Sequence, residues 1–386
     1  MISIDVKTAA KNDSTTSNDL IQNGEGVQRT STLVIGGGQS GLAVGYYLKK
    51  HNIPFLILDG NQRVGDAWRS RWDSLRLFTP ASYNGLPGLR YPAPRHYFPT
   101  KDEMGDFLEH YARVFKLPVI NGVRADSLKN DGGKFVVLSG AKRFEADRVI
   151  IAMASYQEPK VPEFAEALEP GITQFHSGLY KKPDQLQEGD VLLVGAGNSA
   201  SEIAMELSST HKIYLSGRDT GAVPFRINTF VANYLLLPLV LKFLFHRVFT
   251  IDTFIGRNIR KTALTTGGPL IRVKPGDLKK AGVARVPRTV GIKDGKPLLE
   301  GGKTLDVKNV IWCTGFHPGF SWIDIPVMGE HEPKHRAGIV ESVPGLYFTG
   351  LHFLFALSST MVQGVGRDAK RIVNHITDQM KLQSRA

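Results

Sequence analysis

Only one cysteine, Cys313, stands among the 386 residues. That scarcity excludes an intrachain disulfide, a Cys-x-x-Cys dithiol centre and any zinc site built on several cysteines. It also suits a reducing compartment. A secretory leader is missing too: residues 1–30 are polar and lack an apolar core, so they read as a disordered tail ahead of an ordered region beginning at Ser31. A cytoplasmic protein is the expectation. No dense basic stripe accompanies the net charge of +12, because Lys and Arg are spread along the chain. Nucleic acid is therefore not an expected partner. The phosphates of bound nucleotides would use part of the excess, and the rest suits an anionic membrane surface.

A membrane span needs about twenty predominantly apolar residues. The most apolar stretch, 230–249 (FVANYLLLPLVLKFLFHRVF), is broken by Pro238, Lys242, His246 and Arg247. It reads first as a buried helix lining a ligand cavity, and second as a helix lying in a membrane interface. No catalytic triad or acid–base pair stands out, so no catalytic residue is assigned, and no metal site is expected.

Two nucleotide-binding units do stand out. The apolar run Thr32–Ile35 leads into Gly36-Gly37-Gly38-Gln39-Ser40-Gly41, a helical pattern to Lys50, and a second strand over Ile53–Leu58 ending at Asp59. In a GxGxxG turn between strand and helix the first glycine permits the tight turn, the second lets backbone approach a diphosphate, and the third lets helix and strand pack. The phosphates face the positive helix N-terminus, and Asp59 is placed to accept from a ribose diol. A second unit repeats the pattern: Val191–Val194, then Gly195-Ala196-Gly197-Asn198-Ser199-Ala200, a helix to Ser209, and a strand over Lys212–Leu215. Here the second strand runs into Ser216-Gly217-Arg218 with no acid. A hydroxyl and a guanidinium would hold a 2′-phosphate that a carboxylate would repel. The expectation is FAD at the first turn and NADPH at the second, with Ser216 and Arg218 reading the phosphate. Nicotinamide delivers a hydride and flavin accepts it.

Between the units lie residues 63–103, rich in Pro, Arg, Trp and Tyr, a helix over Glu103–Phe115, and strands over Phe135–Leu138 and Val149–Ala152. The runs 64–69 (VGDAWR) and 71–80 (RWDSLRLFTP), then 83–88, 97–103, 310–316 (VIWCTGF) and 344–350 (PGLYFTG), resemble class B flavin-dependent monooxygenases. The nearest likeness is to CzcO-like bacterial flavoproteins, relatives of the YUCCA-type and flavin-containing monooxygenases. The resemblance spans about residues 31–378.

It implies an α/β architecture of two Rossmann-like, glutathione-reductase-like domains. An FAD domain over 31–160 and 320–380 would carry an inserted NADPH domain over 161–319. By similarity Gly36, Gly38, Gln39, Ser40, Gly41 and Asp59 hold the ADP half of FAD, while Trp68, Arg69, Ser74 and Leu75 lie along its ribityl and flavin side. Gly350 and Leu351 meet the flavin from the C-terminal stretch, and Thr314 and Gly315 form an interdomain linker. Gly195, Gly197, Asn198, Ser199 and Ala200 serve NADPH, with Arg226 and His176 as further polar candidates.

The implied reaction inserts one atom of molecular oxygen into a small, apolar organic substrate through a C4a-(hydro)peroxyflavin. Three departures bear on it. Pro170 and Ile172 replace the Phe and Gly that relatives carry before the HxxxY pair His176 and Tyr180, Ala152-Met153-Ala154 replaces Ala-Thr-Gly, and Phe78 stands where flavin-containing monooxygenases carry an Asn. Alternatives are an NADPH oxidase or flavin reductase releasing hydrogen peroxide, and a flavin- and NADP-binding redox sensor. Substrate identity and homodimer formation stay open.

Overall fold

The computed structural model describes residues 26–265, 267–330 and 332–385. Most of the expected tail lies outside them. The first strand, β1 (Val27–Ile35), begins earlier than Ser31 because its leading residues pair in parallel with β6 (Lys142–Ile151), from Val27 opposite Arg143. In chain order β1 is followed by α1 (Gln39–Lys50), β2 (Phe55–Asp59), the short α2 (Asp66–Arg69), α3 (Lys101–Val114), β3 (Val119–Asn121), β4 (Ser127–Asp131), β5 (Lys134–Ser139) and β6. These strands form one sheet in the order β3-β2-β1-β6-β5-β4. The early half of β6 pairs antiparallel with β5. Its last three residues pair in parallel with β16 (Leu346–Phe348), which comes from the far end of the chain.

The second sheet is wholly parallel. After β7 (Glu158–Pro159) come β8 (Thr173–His176), β9 (Val191–Val194), α4 (Asn198–Leu207), β10 (Ile213–Ser216), α5 (Phe254–Thr265), α6 (Pro275–Lys280), β11 (Ala284–Val286), the hairpin β12 (Thr289–Lys293) and β13 (Lys296–Leu299), β14 (Asn309–Trp312) and β15 (Phe316–His317). The sheet order is β11-β10-β9-β14-β8. Its β9 is VLLV, buried at all four positions, as a parallel strand covered on both faces must be. The chain closes on α7 (Val362–Gln383), whose buried stripe Val365, Ala369, Ile372, Val373 and Ile376 packs on Leu42, Val44 and Leu48 of α1.

Two short strands, β7 and β15, pair antiparallel where the chain passes between the sheets. Trp72 fixes the relation further: it lies in the stretch after α2, yet packs in the core of the second sheet with Tyr180, Val191 and Ile203. The nearby backbone bond from Asp73 N–H to the Lys181 carbonyl (2.8 Å) holds the same junction.

The apolar segment departs from the buried-helix expectation. Over Ala232–Leu236 and Pro238–Val248 it winds as π-helix, and only Ala232, Asn233, Leu237 and Leu241 are buried. Phe230 (75% exposed), Leu235 (64%) and Phe243 (50%) face outward, joined by Phe254 (71%) of α5. The inner face packs on Tyr83 and Met361, and Arg367 of α7 donates to the His246 carbonyl. One stripe suffices to hold the segment, which leaves the rest of its apolar surface uncovered. No helix among the described residues is long and apolar enough to cross a membrane.

Candidate cofactor and active site

The two glycine turns are built alike. Gly36 N–H donates to the Leu58 carbonyl, and Gly195 N–H to the Ser216 carbonyl, both at 2.7 Å. Gly36 (φ +111°) and Gly195 (φ +113°) hold backbone that L-residues rarely adopt. A side-chain carbon at Gly41 would lie 1.8 Å from the Gly36 carbonyl oxygen, so close packing inside the turn forbids one. At Gly38 and Gly197, by contrast, such a carbon would meet nothing within 4 Å. These two positions face open space at the mouths of α1 and α4. Both helices are N-capped by glycine, without a side chain bonding the first-turn amides, and neither carries an acid in its first turn. Amides left free at a helix N-terminus suit a diphosphate. The cradles therefore fit the diphosphate groups of two dinucleotides.

The turns differ at the end of the second strand. In the first, buried Asp59 accepts from Gly37 N–H through Oδ2 (2.5 Å) and from Asn61 N–H and Nδ2 through Oδ1 (2.7 and 2.8 Å). Three bonds leave its carboxylate one acceptor position over. In the second, Val194 of β9 lies opposite Ser216 just as Ile35 lies opposite Leu58, so the counterpart of Asp59 is Gly217. A side-chain carbon at Gly217 would stand 2.9 Å from Ala196 N. Ser216 was expected to read a phosphate, and the structure gives it another role. It is fully buried, and its hydroxyl donates to the Pro287 carbonyl (2.9 Å) and accepts from Thr289 N–H and Oγ1 (2.8 and 2.9 Å). Arg218 is exposed, with no hydrogen bond or ion pair from its guanidinium among the described residues.

Asn198 is committed to protein: Nδ2 donates to the Pro269 carbonyl and Oδ1 accepts from Ile271 N–H. Ser199 is exposed at the first turn of α4, and Ala200 is buried beneath it. Arg226 pairs with Asp277 of α6 (2.7 Å). Around the first turn, Trp68 Nε1–H donates to Gln39 Oε1 (3.1 Å), and Gln39 Nε2 donates to the Thr360 carbonyl (3.1 Å). One amide thus ties α1, α2 and the C-terminal stretch together. Gly350 (φ +77°) abuts Ser40, where a side-chain carbon would meet Oγ at 2.7 Å, and Leu351 is buried in the core beside it.

Arg69, expected beside the ribityl chain, is instead turned onto α3. It bonds the Val64 carbonyl, Asp66, Asp106 and Glu109. Ser74 is exposed, and Leu75 packs against the cores of both sheets.

Thr314 Oγ1 donates to the Lys160 carbonyl, and Lys160 N–H donates to the Gly315 carbonyl, which ties the two crossings between sheets. His176 belongs to the same tie. Its Nδ1 accepts from Gly178 N–H (3.0 Å), so its Nε2 carries the proton donated to the Gly315 carbonyl (2.8 Å). Burial holds its pKa below the ordinary histidine value, which keeps that neutral form. It is a structural histidine.

Comparison with known proteins places this geometry. The pyridine nucleotide-disulphide oxidoreductase family matches residues 33–234. A CzcO-like uncharacterized oxidoreductase of Geobacillus kaustophilus is 37% identical over 89% of this chain and 97% of its own length. The indole-3-pyruvate monooxygenase YUCCA6 of Arabidopsis thaliana is 27% identical over 90% of each chain. Among solved structures, the flavin-containing monooxygenase of Stenotrophomonas maltophilia superposes with a TM-score of 0.73 at 25% identity, over 92% of this chain and all of that one. The chain belongs to this oxidoreductase family, in its class B flavin monooxygenase branch. The single thiol, Cys313, cannot form a dithiol, and burial pushes its pKa up to about 12. Its backbone matters instead: Cys313 N–H bonds the Val194 carbonyl (2.7 Å), and its own carbonyl crowds Gly195.

Two residues near the crossing were not singled out by the sequence: Tyr156 and His352. Tyr156 Oη hydrogen-bonds His352 Nε2, with the rings 5.5 Å apart and nearly perpendicular. Nothing in the spacing of 156 and 352 announces them, because only the fold brings them together.

Proposed function

We propose that the chain is an NADPH-dependent, FAD-containing monooxygenase that inserts one oxygen atom of O₂ into a small organic substrate. The observation that carries this reading is the pair of matched glycine cradles with opposite chemistry beyond the second strand: a carboxylate, Asp59, in one, and Gly217 followed by the free guanidinium of Arg218 in the other. The carboxylate favours a ribose with free hydroxyls, and the guanidinium favours one bearing a 2′-phosphate.

The division of labour follows the two sheets. The strands and helices over 31–160 and 320–380 would form the FAD domain, and those over 161–319 the NADPH domain. The α1 amides at Gly38–Gly41 would hold the FAD diphosphate, and the remaining acceptor of Asp59 the adenosine ribose. Trp68, oriented by Gln39, would wall the flavin side together with backbone at Gly350. The α4 amides at Gly197–Ala200 would hold the NADPH diphosphate. Bound FAD would supply a two-electron acceptor for the nicotinamide hydride and, once reduced, a partner for oxygen. Around it Leu75, packed against both cores, and Trp72, in the core of the second sheet, would exclude water, while His176, Gly315, Thr314 and Lys160 hold the crossings in register.

An NADPH oxidase that releases hydrogen peroxide is the second reading. The partly buried Phe78 favours it, since its side chain offers no hydrogen bond to an oxygen species. The outward row Phe230, Leu235, Phe243 and Phe254, flanked by Arg247 and Arg257, supports a peripheral membrane contact and delivery of an apolar substrate.

Stopped-flow absorbance tests the reading. Anaerobic NADPH bleaches a yellow preparation, and oxygen then yields product with a suitable substrate. Fast bleaching followed by stoichiometric peroxide with every substrate leaves only the oxidase. A folded protein that takes up no flavin removes both.

A further inference from the structure

Between α5 and α6 the chain lies along one face of α4. Asn198 and Glu202 stand one turn apart on that helix, so their side chains share a face. Asn198 holds the Pro269 carbonyl and Ile271 N–H, and Glu202 pairs with Arg272 (2.8 Å). The segment has further anchors. Leu270 N–H donates to the Gly221 carbonyl and the Leu270 carbonyl accepts from Val223 N–H, both at 2.9 Å, while Lys274 Nζ donates to the Val223 carbonyl. Residues 269–273 thus form a strap on the helix whose first-turn amides make the second cradle.

The Arg272 guanidinium bonds in two directions. Its Nη2 meets the Glu202 carboxylate on α4, and its Nη1 donates to the Arg76 carbonyl (3.1 Å) in the stretch between α2 and α3. That stretch is itself fixed. Leu77 N–H bonds the Pro99 carbonyl, Lys101 N–H bonds the Leu75 carbonyl, and the Arg76 side chain bonds the Phe98 carbonyl. Glu202 is buried, and its second oxygen has no hydrogen-bond partner among the described residues, so Arg272 is the group that compensates its charge. On either side of Arg272, Ile271 packs on the cluster of Tyr83, Leu237 and Leu241, and Val273 packs on the core of the second sheet.

We propose that Arg272 is a positioning residue that sets the α4 cradle in register with the flavin side of the first cradle, so that a nicotinamide held by α4 meets the flavin at reacting distance. The inference rests on the two-cofactor reading and deepens it. Hydride transfer needs its two reacting atoms about 3–3.5 Å apart, and a displacement of about 1 Å can cost about 100-fold in rate. Trp72 and Leu75 already pack the two halves together, but apolar packing is non-directional and permits sliding. A rigid guanidinium fork, bonded to α4 through one nitrogen and to the 71–80 stretch through the other, fixes both a distance and a direction. Leu75, set along the flavin side by resemblance, directly precedes Arg76, so a shift of the Arg76 carbonyl is a shift of that wall.

Amide hydrogen exchange of the cofactor-free protein and anaerobic stopped-flow of the FAD-loaded protein test the strap. Arg272→Gln is expected to speed exchange several-fold over 74–78 and 269–273. At saturating NADPH its flavin should bleach about tenfold or more slowly, while calorimetric NADP⁺ affinity stays within about twofold, because the α4 amides and Arg218 are untouched. Arg272→Lys keeps the pair with Glu202 but offers one nitrogen in place of the fork, so it should restore part of the rate. A normal bleaching rate in Arg272→Gln, or unchanged exchange over both segments, overturns the proposal. So does a loss of NADP⁺ affinity by the same factor as the rate, which would make Arg272 a support of the cradle and not of its register. Should Arg272→Gln not fold, Arg272→Lys carries the test: slower bleaching with NADP⁺ affinity retained supports the register role, and a normal rate overturns it. A protein that bleaches equally fast with and without the Arg272 fork refutes this proposal alone, whereas an unaltered protein that takes up neither cofactor refutes the functional reading as well.

Discussion

Replacing Arg218 with alanine tests the proposal that the second cradle prefers NADPH to NADH. The side chain is exposed and has no protein partner among the described residues, so its loss leaves no buried group unsatisfied and the fold should keep its stability. What would disappear is the proposed charge-assisted contact to a 2′-phosphate. Hydrogen bonds to charged groups contribute about 1.5–3 kcal/mol, and exposure puts this one near the lower end. At about 1.4 kcal/mol per tenfold, NADP⁺ should bind roughly 10- to 30-fold more weakly. NAD⁺, which has no phosphate there, should be unaffected. The control is Ser216→Ala. Its hydroxyl makes three buried hydrogen bonds, so that change should cost about 1–3 kcal/mol of fold stability and leave the NADP⁺ to NAD⁺ ratio alone. Calorimetric dissociation constants for both nucleotides, with urea midpoints for each variant, make the comparison. If Arg218→Ala weakens both nucleotides alike, or Ser216→Ala alone collapses the preference, the assignment of phosphate reading to Arg218 is wrong.

The two kinds of glycine separate in the same way. Gly38→Ala meets open space, so circular dichroism should be unchanged while flavin uptake drops; Gly41→Ala places a carbon 1.8 Å from the Gly36 carbonyl oxygen, so fold and flavin should be lost together. Retention of full flavin by Gly38→Ala would mean that no diphosphate approaches there. Acid should destabilise the protein through His335, whose side chain is 1% exposed and whose pKa is pushed from 6.5 down to about 4 by burial and by Arg260. The unfolded chain binds the proton first, so this contribution is fully present above about pH 6.5 and is lost as pH falls towards 4. Urea midpoints should decline across that window less steeply in His335→Asn, and identical slopes would exclude the histidine as the cause. Co-sedimentation with anionic vesicles should fall when Leu235 and Phe243 become Glu, without change in NADP⁺ affinity; undiminished sedimentation would place any membrane contact elsewhere.

Much of this architecture is local chemistry, and so the amino-acid order alone determines it. The run VLLV ahead of a glycine turn reads as a strand covered on both faces, the turn Gly36–Gly41 leaves no room for a side chain at Gly41, and a lone cysteine rules out an intrachain dithiol wherever it sits. Tertiary structure decided what depends on register and on distant partners. Counting from the first glycine of each turn sets Arg218 opposite Asp59, but the pairing of β9 with β10 puts Gly217 there and sends the Ser216 hydroxyl into the core. Arg69, set along the flavin side by resemblance, turns instead onto the carboxylates of α3. The apolar run at 230–249 looked buried because composition cannot tell how many faces of a helix find a neighbour. Tyr156 and His352 are far apart along the chain, and their hydrogen bond becomes visible only when folding brings the two rings together.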